Sequence, residues 1–189
     1  MTGDKKQQGF SLIELIVVLG IFSTVITVVI GSFLVMLQAQ RAILAEKDVA
    51  ENARFALEYM ARQMRVVNRY DGAVGQPVGC VPVDTSFDSP SANEIFFLSQ
   101  ADECLHFFVQ DGVIQFENDL GTQDLTSSSE VFVEDLTFVL VGEAENDSVQ
   151  PRITISITAR GAGQSDTAEA ARATVQTTVG VRNLDIPGT

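Results

Sequence analysis

The chain has 189 residues, 46% of them hydrophobic, with 12 Lys plus Arg against 25 Asp plus Glu for a formal charge of −13. That length holds one membrane helix and one modest domain, not two large ones. The acid excess argues against general phosphate-backbone binding, which draws its affinity from clustered Lys and Arg.

The chain begins with a charged leader, Asp4-Lys5-Lys6-Gln7-Gln8-Gly9, and turns apolar at Phe10-Ser11-Leu12-Ile13-Glu14-Leu15. From Leu15 to Leu37 there is no Asp, Glu, Lys, Arg or His. At 1.5 Å per helical residue that run spans roughly 35 Å, enough to cross a hydrocarbon core of about 30 Å. Glu14 is the anomaly, because a carboxylate at membrane depth costs on the order of 2.5–3.5 kcal/mol even on lenient insertion scales. A cut after Gly9 would supply a partner: a new α-amine on Phe10, four residues before Glu14 and on the same helix face. An ordinary signal peptide fits poorly. The apolar run exceeds the usual length of about 7–15 residues, and no small-x-small cleavage site follows it. Lys5 and Lys6 stay cytoplasmic, so everything after Leu37 faces the other side of the membrane.

The run from Lys5 to Leu15 resembles the class III signal of type IV pilins and type II secretion pseudopilins. The resemblance implies that a prepilin peptidase cuts after Gly9 and methylates the new amino terminus at Phe10. It also implies that Glu14, at mature position five, guides assembly. One departure concerns the apolar run, where many family members carry a helix-breaking proline. Here Gly31 stands in that region and the first proline is Pro77. Glycine costs only about 1 kcal/mol in a helix against about 3 for proline, which weakens the case for a kink or melted segment.

Residues 10–37 are thus the transmembrane helix, and 38–68 continue it as an amphipathic helix. Val49, Ala53, Leu57, Met60, Met64 and Val67 recur every three or four residues and form one apolar stripe. The other faces carry charge, including Glu58 and Arg62 in the favourable i,i+4 order. Both parts together make one helix of nearly 60 residues, about 85 Å long. The stripe packs on the chain's own head, and in a filament the uncovered upper half packs on neighbouring helices. Met60 and Met64 are core filler rather than a cofactor site.

Residues 69–189 form the head. Turn formers crowd 69–93, an irregular connection containing Gly72, Gly75, Pro77, Gly79, Pro82 and Pro90. Cys80 and Cys104 flank an acidic stretch on the exported, oxidising side. They admit three readings: a disulfide, two free thiols, or a metal pair. Compartment and even count favour the disulfide, worth roughly 3–4 kcal/mol for a loop of this length. Zinc would need further His or Cys ligands. Strand rhythm follows at 94–98, 105–109, 113–117, 131–141, 152–160 and 175–181. Asp111-Gly112 marks a hairpin, and Glu134-Asp135 marks a bulge or bend. The last three strands read as an antiparallel meander with one face on the helix stripe. A helical turn at Thr167–Ala171 is left open. The fold class is α+β: one long N-terminal helix packed against an antiparallel β-sheet head.

The run Glu51–Arg65, the Phe-rich hairpin with Asp111-Gly112 and the closing Val179-Gly180-Val181-Arg182-Asn183 resemble the J-type minor pseudopilins and W-type minor pilins. Glu14 sets the chain apart from the K-type tip subunit, which usually lacks that glutamate. The resemblance implies a minor subunit of a pseudopilus or pilus-like filament, acting at the tip in priming assembly or in protein secretion.

No catalytic constellation accompanies these features. The one histidine, His106, alternates with Leu105 and Phe107 and belongs on the polar face of a hairpin. Sixteen acids lie between Asp71 and Asp147 with no Lys or Arg among them. The loops 117–121 and 143–147 offer carboxylates without the spacing of a calcium loop, so a solvated acidic face is the simpler reading. The helix from Gln38 to Arg69, in contrast, carries six basic and four acidic side chains. Charge complementarity between one subunit's helix and another's head could set register in a stack.

The expectation is therefore a non-enzymatic subunit without cofactor or metal. Its partners are the prepilin peptidase, other pilins or pseudopilins, and the membrane, with no nucleic acid. It is anchored by a single pass in the cytoplasmic membrane, and its head is exported to the periplasm or cell surface. Two alternatives stand beside it: a DNA-uptake pilin using Arg152, Arg160, Arg172 and Arg182, or a membrane-anchored exported binding protein that does not polymerise.

Overall fold

A computed structural model describes residues 9–72, 74–142, 150–163 and 170–181. Lys5, Lys6, the acidic run 143–147, most of the open helical turn at 167–171 and the pair Arg182-Asn183 lie outside the described residues. One helix dominates the N-terminal part, α1 over Leu12–Met64. The chain divides into two compact units, Met1–Ala42 and Ile43–Thr189, with the division inside α1.

In the first unit the helix is exposed over nearly all of its described length. Every residue from Gly9 to Met36 is exposed, among them Phe22, Val28 and Phe33. Four hydroxyls interrupt the apolar run, and each is satisfied within the helix. Ser23, Thr24, Thr27 and Ser32 donate to the carbonyls of Leu19, Ile21, Ser23 and Val28 at 2.7–3.0 Å. A hydroxyl facing lipid has no water to bond, so this back-bonding removes the cost of burying it in hydrocarbon. The helix runs through Gly31 without a break.

In the second unit the expected stripe is buried. Val49, Ala53, Leu57, Met60, Met64 and Val67 are inaccessible or nearly so, with Ala56 and Ala61 filling the gaps between them. The helix stops at Met64, four residues before the expected end. The cause is competition for backbone groups. Asn68 N donates to Leu98 O and Tyr70 N to Thr85 O, at 3.0 and 2.9 Å, so the chain is already pairing with strands where the helix would continue. Val67 keeps its place in the core although it has left the helix.

The head holds two antiparallel sheets. The first is a five-stranded meander: β1 Phe87–Asp88, β2 Glu94–Leu98, β3 Cys104–Gln110, β4 Val113–Asn118 and β5 Gly121–Asp124. The second is β6 Val131–Val141, β7 Arg152–Gly161 and β8 Arg172–Gly180, in that order. Asp111 and Gly112 both have positive φ (53° and 76°), as a two-residue hairpin with the twist of its strands requires. The register of β6 against β7 shifts between Val133 and Asp135, leaving Glu134 as the extra residue of a bulge. The bulge is why Val131 and Val133 on one side of it, and Leu136 and Phe138 on the other, all point into the core.

One continuous core joins the helix stripe to both sheets through Phe97, Phe107, Ile114, Leu136, Ile153, Ile155 and Ile157. Tyr59 on α1 sits edge-on to Phe107 and Phe116 at ring separations of 6.3 and 5.9 Å. A smaller cluster of Tyr70, Cys80, Val81 and Leu98 anchors the 69–93 connection. Its covalent member is a disulfide between Cys80 and Cys104, with Cα atoms 5.7 Å apart, tying that connection to the start of β3.

Candidate processing and assembly site

The segment expected to carry function is Gly9–Leu15. Gly9, Phe10 and Ser11 precede the helix, and the Ser11 carbonyl accepts the first helical bonds from Glu14 N and Leu15 N at 3.1 and 3.2 Å. Nothing lies within 4 Å of where a Gly9 side chain would be, and Phe10 is 83% exposed. The Gly9–Phe10 peptide bond therefore sits in non-helical, open backbone. Such a stretch can enter a protease cleft without unwinding helical hydrogen bonds. Glu14 falls in the first turn of α1, where the positive end of the helix dipole complements its carboxylate. Its side chain is exposed beside Leu12, Ile13 and Leu15, all apolar and exposed. Phe10 stands two residues ahead of the helix. Pairing of a Phe10 amine with Glu14 therefore needs the cut to release that end, or a second chain to bring its own.

His106 does face away from Leu105 and Phe107, yet its surroundings are not the wet polar face that alternation suggests. Its ring stacks on Phe96 at 3.8 Å and on Phe108 at 4.5 Å, nearly parallel to both. Nδ1 lies 3.3 Å from Glu117 Oε2 and Nε2 lies 3.4 Å from Glu94 Oε2, with the His106 side chain only 14% exposed. The Nε2 approach lacks hydrogen-bond alignment, and that nitrogen has no hydrogen-bond partner among the described residues. The imidazole is thus enclosed by Glu94 and Glu117 at its edges and by Phe96 and Phe108 against its faces. The signal was in the register: Phe96 pairs with His106 across the ladder, and Phe108 follows two residues on.

Glu134, the bulge residue, is the other built cluster. Arg160 Nε and Arg172 Nε approach it at 3.1 and 2.8 Å, fastening all three strands of the second sheet. Arg160 also lies 4.3 Å above the Phe132 ring. Phe132 in turn covers Gly112, where an added Cβ would fall 2.4 Å from the ring. The bulge thus locks the β3–β4 hairpin tip onto the second sheet, reinforced by a 2.8 Å bond from Val133 N to Gly112 O. Sequence reasoning found the bulge but missed its two arginines.

The stretch 117–121, read above as a loop, is mostly strand. Glu117 and Asn118 end β4 and Gly121 opens β5, while Asn118 Oδ1 accepts the Leu120 N–H at 3.0 Å. A cleft of about 470 Å³ lies between Ala45, Asp48, Glu51 and Asn52 of α1 and Glu130, Gly161 and Ala162. Asn52 Nδ2 donates to Glu130 Oε2 across it at 3.0 Å. Among the described residues no cluster of three or more His, Cys, Asp or Glu is arranged to hold a metal ion.

Residues 4–36 match the family model described as the prokaryotic N-terminal methylation motif. No curated protein and no solved structure matches the chain. The matched segment contains the leader, Gly9, Phe10, Glu14 and most of the membrane-length helix, and stops before the head begins. The motif, the single apolar N-terminal helix and the disulfide-bonded α+β head together support placement in the type IV pilin and pseudopilin superfamily.

Proposed function

We propose that the chain is a minor subunit of a type IV pilus-like filament or a type II secretion pseudopilus, inserted in the cytoplasmic membrane and extracted into the filament after processing. A prepilin peptidase cuts after Gly9 and methylates Phe10. Glu14 then pairs with the amino terminus of a neighbouring subunit. The head lies on the exported side, where an oxidising compartment maintains the Cys80–Cys104 bond. The tip is its place in the filament, and priming of assembly or secretion is its task. The observation that carries the reading is the open Gly9–Phe10 bond directly ahead of a helix whose first turn holds the one carboxylate of an exposed apolar run.

The test is a pair of substitutions. Gly9 replaced by a bulky residue should leave the leader attached. Glu14→Ala should be processed and inserted yet lose cross-links to neighbouring subunits. Normal cross-linking of Glu14→Ala would defeat the pairing role of Glu14, and normal processing of the Gly9 variant would defeat the cleavage assignment.

The geometry gives DNA uptake little support. Of the head arginines proposed for it, Arg160 and Arg172 both engage Glu134. Absence of a gel shift at low salt would remove that alternative. Arg62 on the last turn of α1 and Arg65 just beyond its end are both exposed. If charge complementarity sets register between subunits, reversing both should weaken subunit cross-linking, and unchanged cross-linking would exclude them.

A further inference from the structure

The two sheets have four outer edges, and three are short or occupied. β1 is two residues long. β5 has four, all exposed, and ends on Asp124. β6 gives the N–H groups of Val133 and Phe138 to the carbonyls of Gly112 and Ala92, both at 2.8 Å. β8 differs from all of them. It runs nine residues, Arg172–Gly180, and pairs with β7 along one side only. In an antiparallel ladder every second residue turns its N–H and C=O away from its partner. Over Ala173–Gly180 these outward groups meet no strand among the described residues. Natural edges are blunted by lysine, proline, a bulge or brevity. From Ala173 to Val181 there is no charge and no proline, and the register with β7 is unbroken.

We infer that β8 is a docking edge for β8 of a second copy of this chain, running antiparallel about a twofold axis at Gln176. The sequence of the strand is self-complementary in that register. Ala173 meets the partner's Val179 and Val175 meets the partner's Thr177, all on the core-facing side, where Ala173, Val175 and Thr177 are only half-buried. On the outer side Thr174 meets the partner's Thr178, and Gln176 meets its own counterpart. Arg172 falls opposite the partner's Gly180, so no like charges oppose. The outer side already carries hydroxyl rows: Thr154 with Thr178 at 2.9 Å and Thr158 with Thr174 at 3.2 Å. The pairing extends each row across the axis into the partner's sheet, making one six-stranded sheet from two three-stranded ones. Cross-strand threonine pairs and covered β-branched residues stabilise such a seam.

The chain's −13 charge opposes self-association, and a charge-free edge lets two copies of the head meet without opposing acids along the strand. Tethering in one membrane raises the local concentration enough for a narrow interface to form. The contact is isologous, so it closes at two copies and does not propagate. It depends on neither processing at Gly9 nor incorporation into a filament.

Single-cysteine variants of the full-length chain in membranes provide the test, with the Cys80–Cys104 bond confirmed closed in each. Opposed residues of an antiparallel pair lie within disulfide reach. Gln176→Cys should give a disulfide-linked homodimer on mild oxidation, about tenfold more than Thr122→Cys on the β5 edge. Thr174→Cys and Thr178→Cys on differently tagged copies should link to each other, and each should link poorly to itself. Equal linking at Thr122→Cys, no linking at Gln176→Cys in a folded head, or linking of Gln176→Cys to a different polypeptide would each overturn the self-pairing.

Discussion

The stretches Leu12–Met36 and Val49–Met64 lie on one helix, and each presents apolar side chains, but to opposite surroundings. The first exposes all of them to whatever encloses the helix, and its hydroxyls turn back on their own backbone. The second buries a single stripe against two sheets and leaves its charged faces to water. The pattern differs because the solvent differs. Lipid rewards apolar groups all round the helix, while a folded head rewards them on one side only. Only the second stretch should therefore report on the stability of the head.

The largest break in that comparison is expected inside the head. Phe107→Ala should cost about 3–5 kcal/mol, because a fully buried ring leaves a cavity among Tyr59, Phe97 and Phe116. Phe22→Ala, on the exposed stretch, should leave the head's unfolding midpoint in detergent unchanged. Denaturant titration followed by tyrosine fluorescence reads both, since Tyr59 packs on Phe107 and the chain has no Trp. Equal effects of the two substitutions would mean that the two stretches are not energetically distinct.

Next comes the disulfide. Cys80→Ser with Cys104→Ser should lower head stability by about 2–4 kcal/mol and make the 69–93 connection sensitive to limited proteolysis. Unchanged proteolysis would show that Tyr70, Val81 and Leu98 hold that connection without the bond.

The smallest pair contrasts two glycines. Gly112→Ala should destabilise by about 1–3 kcal/mol, because φ is positive there and the added Cβ falls on the Phe132 ring. Gly31→Ala meets nothing within 4 Å and should stabilise the helix by about 1 kcal/mol. Helix content measured by circular dichroism in detergent checks the second, and the head's unfolding midpoint checks the first.

Much of this organisation was legible in the sequence, for identifiable reasons. The stripe from Val49 to Val67 obeys one period, so its burial could be read directly. Strand β2 occupies Glu94–Leu98 as its apolar run indicates. The Glu134 bulge announced itself because alternation breaks there and resumes at Leu136. Other features have no local signal. β5 is Gly-Thr-Gln-Asp, exposed throughout, and is a strand only because β4 offers it an edge. The division into two sheets depends on pairings that no periodicity encodes. The end of α1 at Met64 is decided by Leu98 and Thr85, which lie far along the chain. His106 looked solvated because alternation tells which side a residue faces and not what stands beside it. Its stack on Phe96 and Phe108 is a product of register.

At the candidate processing segment the balance is reversed. Gly9, Phe10 and Glu14 were singled out by the charged leader, the lone carboxylate and the resemblance to the class III signal, and the fold adds the open backbone at the Gly9–Phe10 bond and the start of the helix just beyond it. The central claim is that this segment is a substrate for cleavage and methylation and not a permanent anchor. The most direct measurement is the intact mass of the chain extracted from the membrane of a host carrying a prepilin peptidase. The account predicts loss of residues 1–9 and gain of one methyl group on Phe10. A full-length, unmethylated chain from such a host would contradict it.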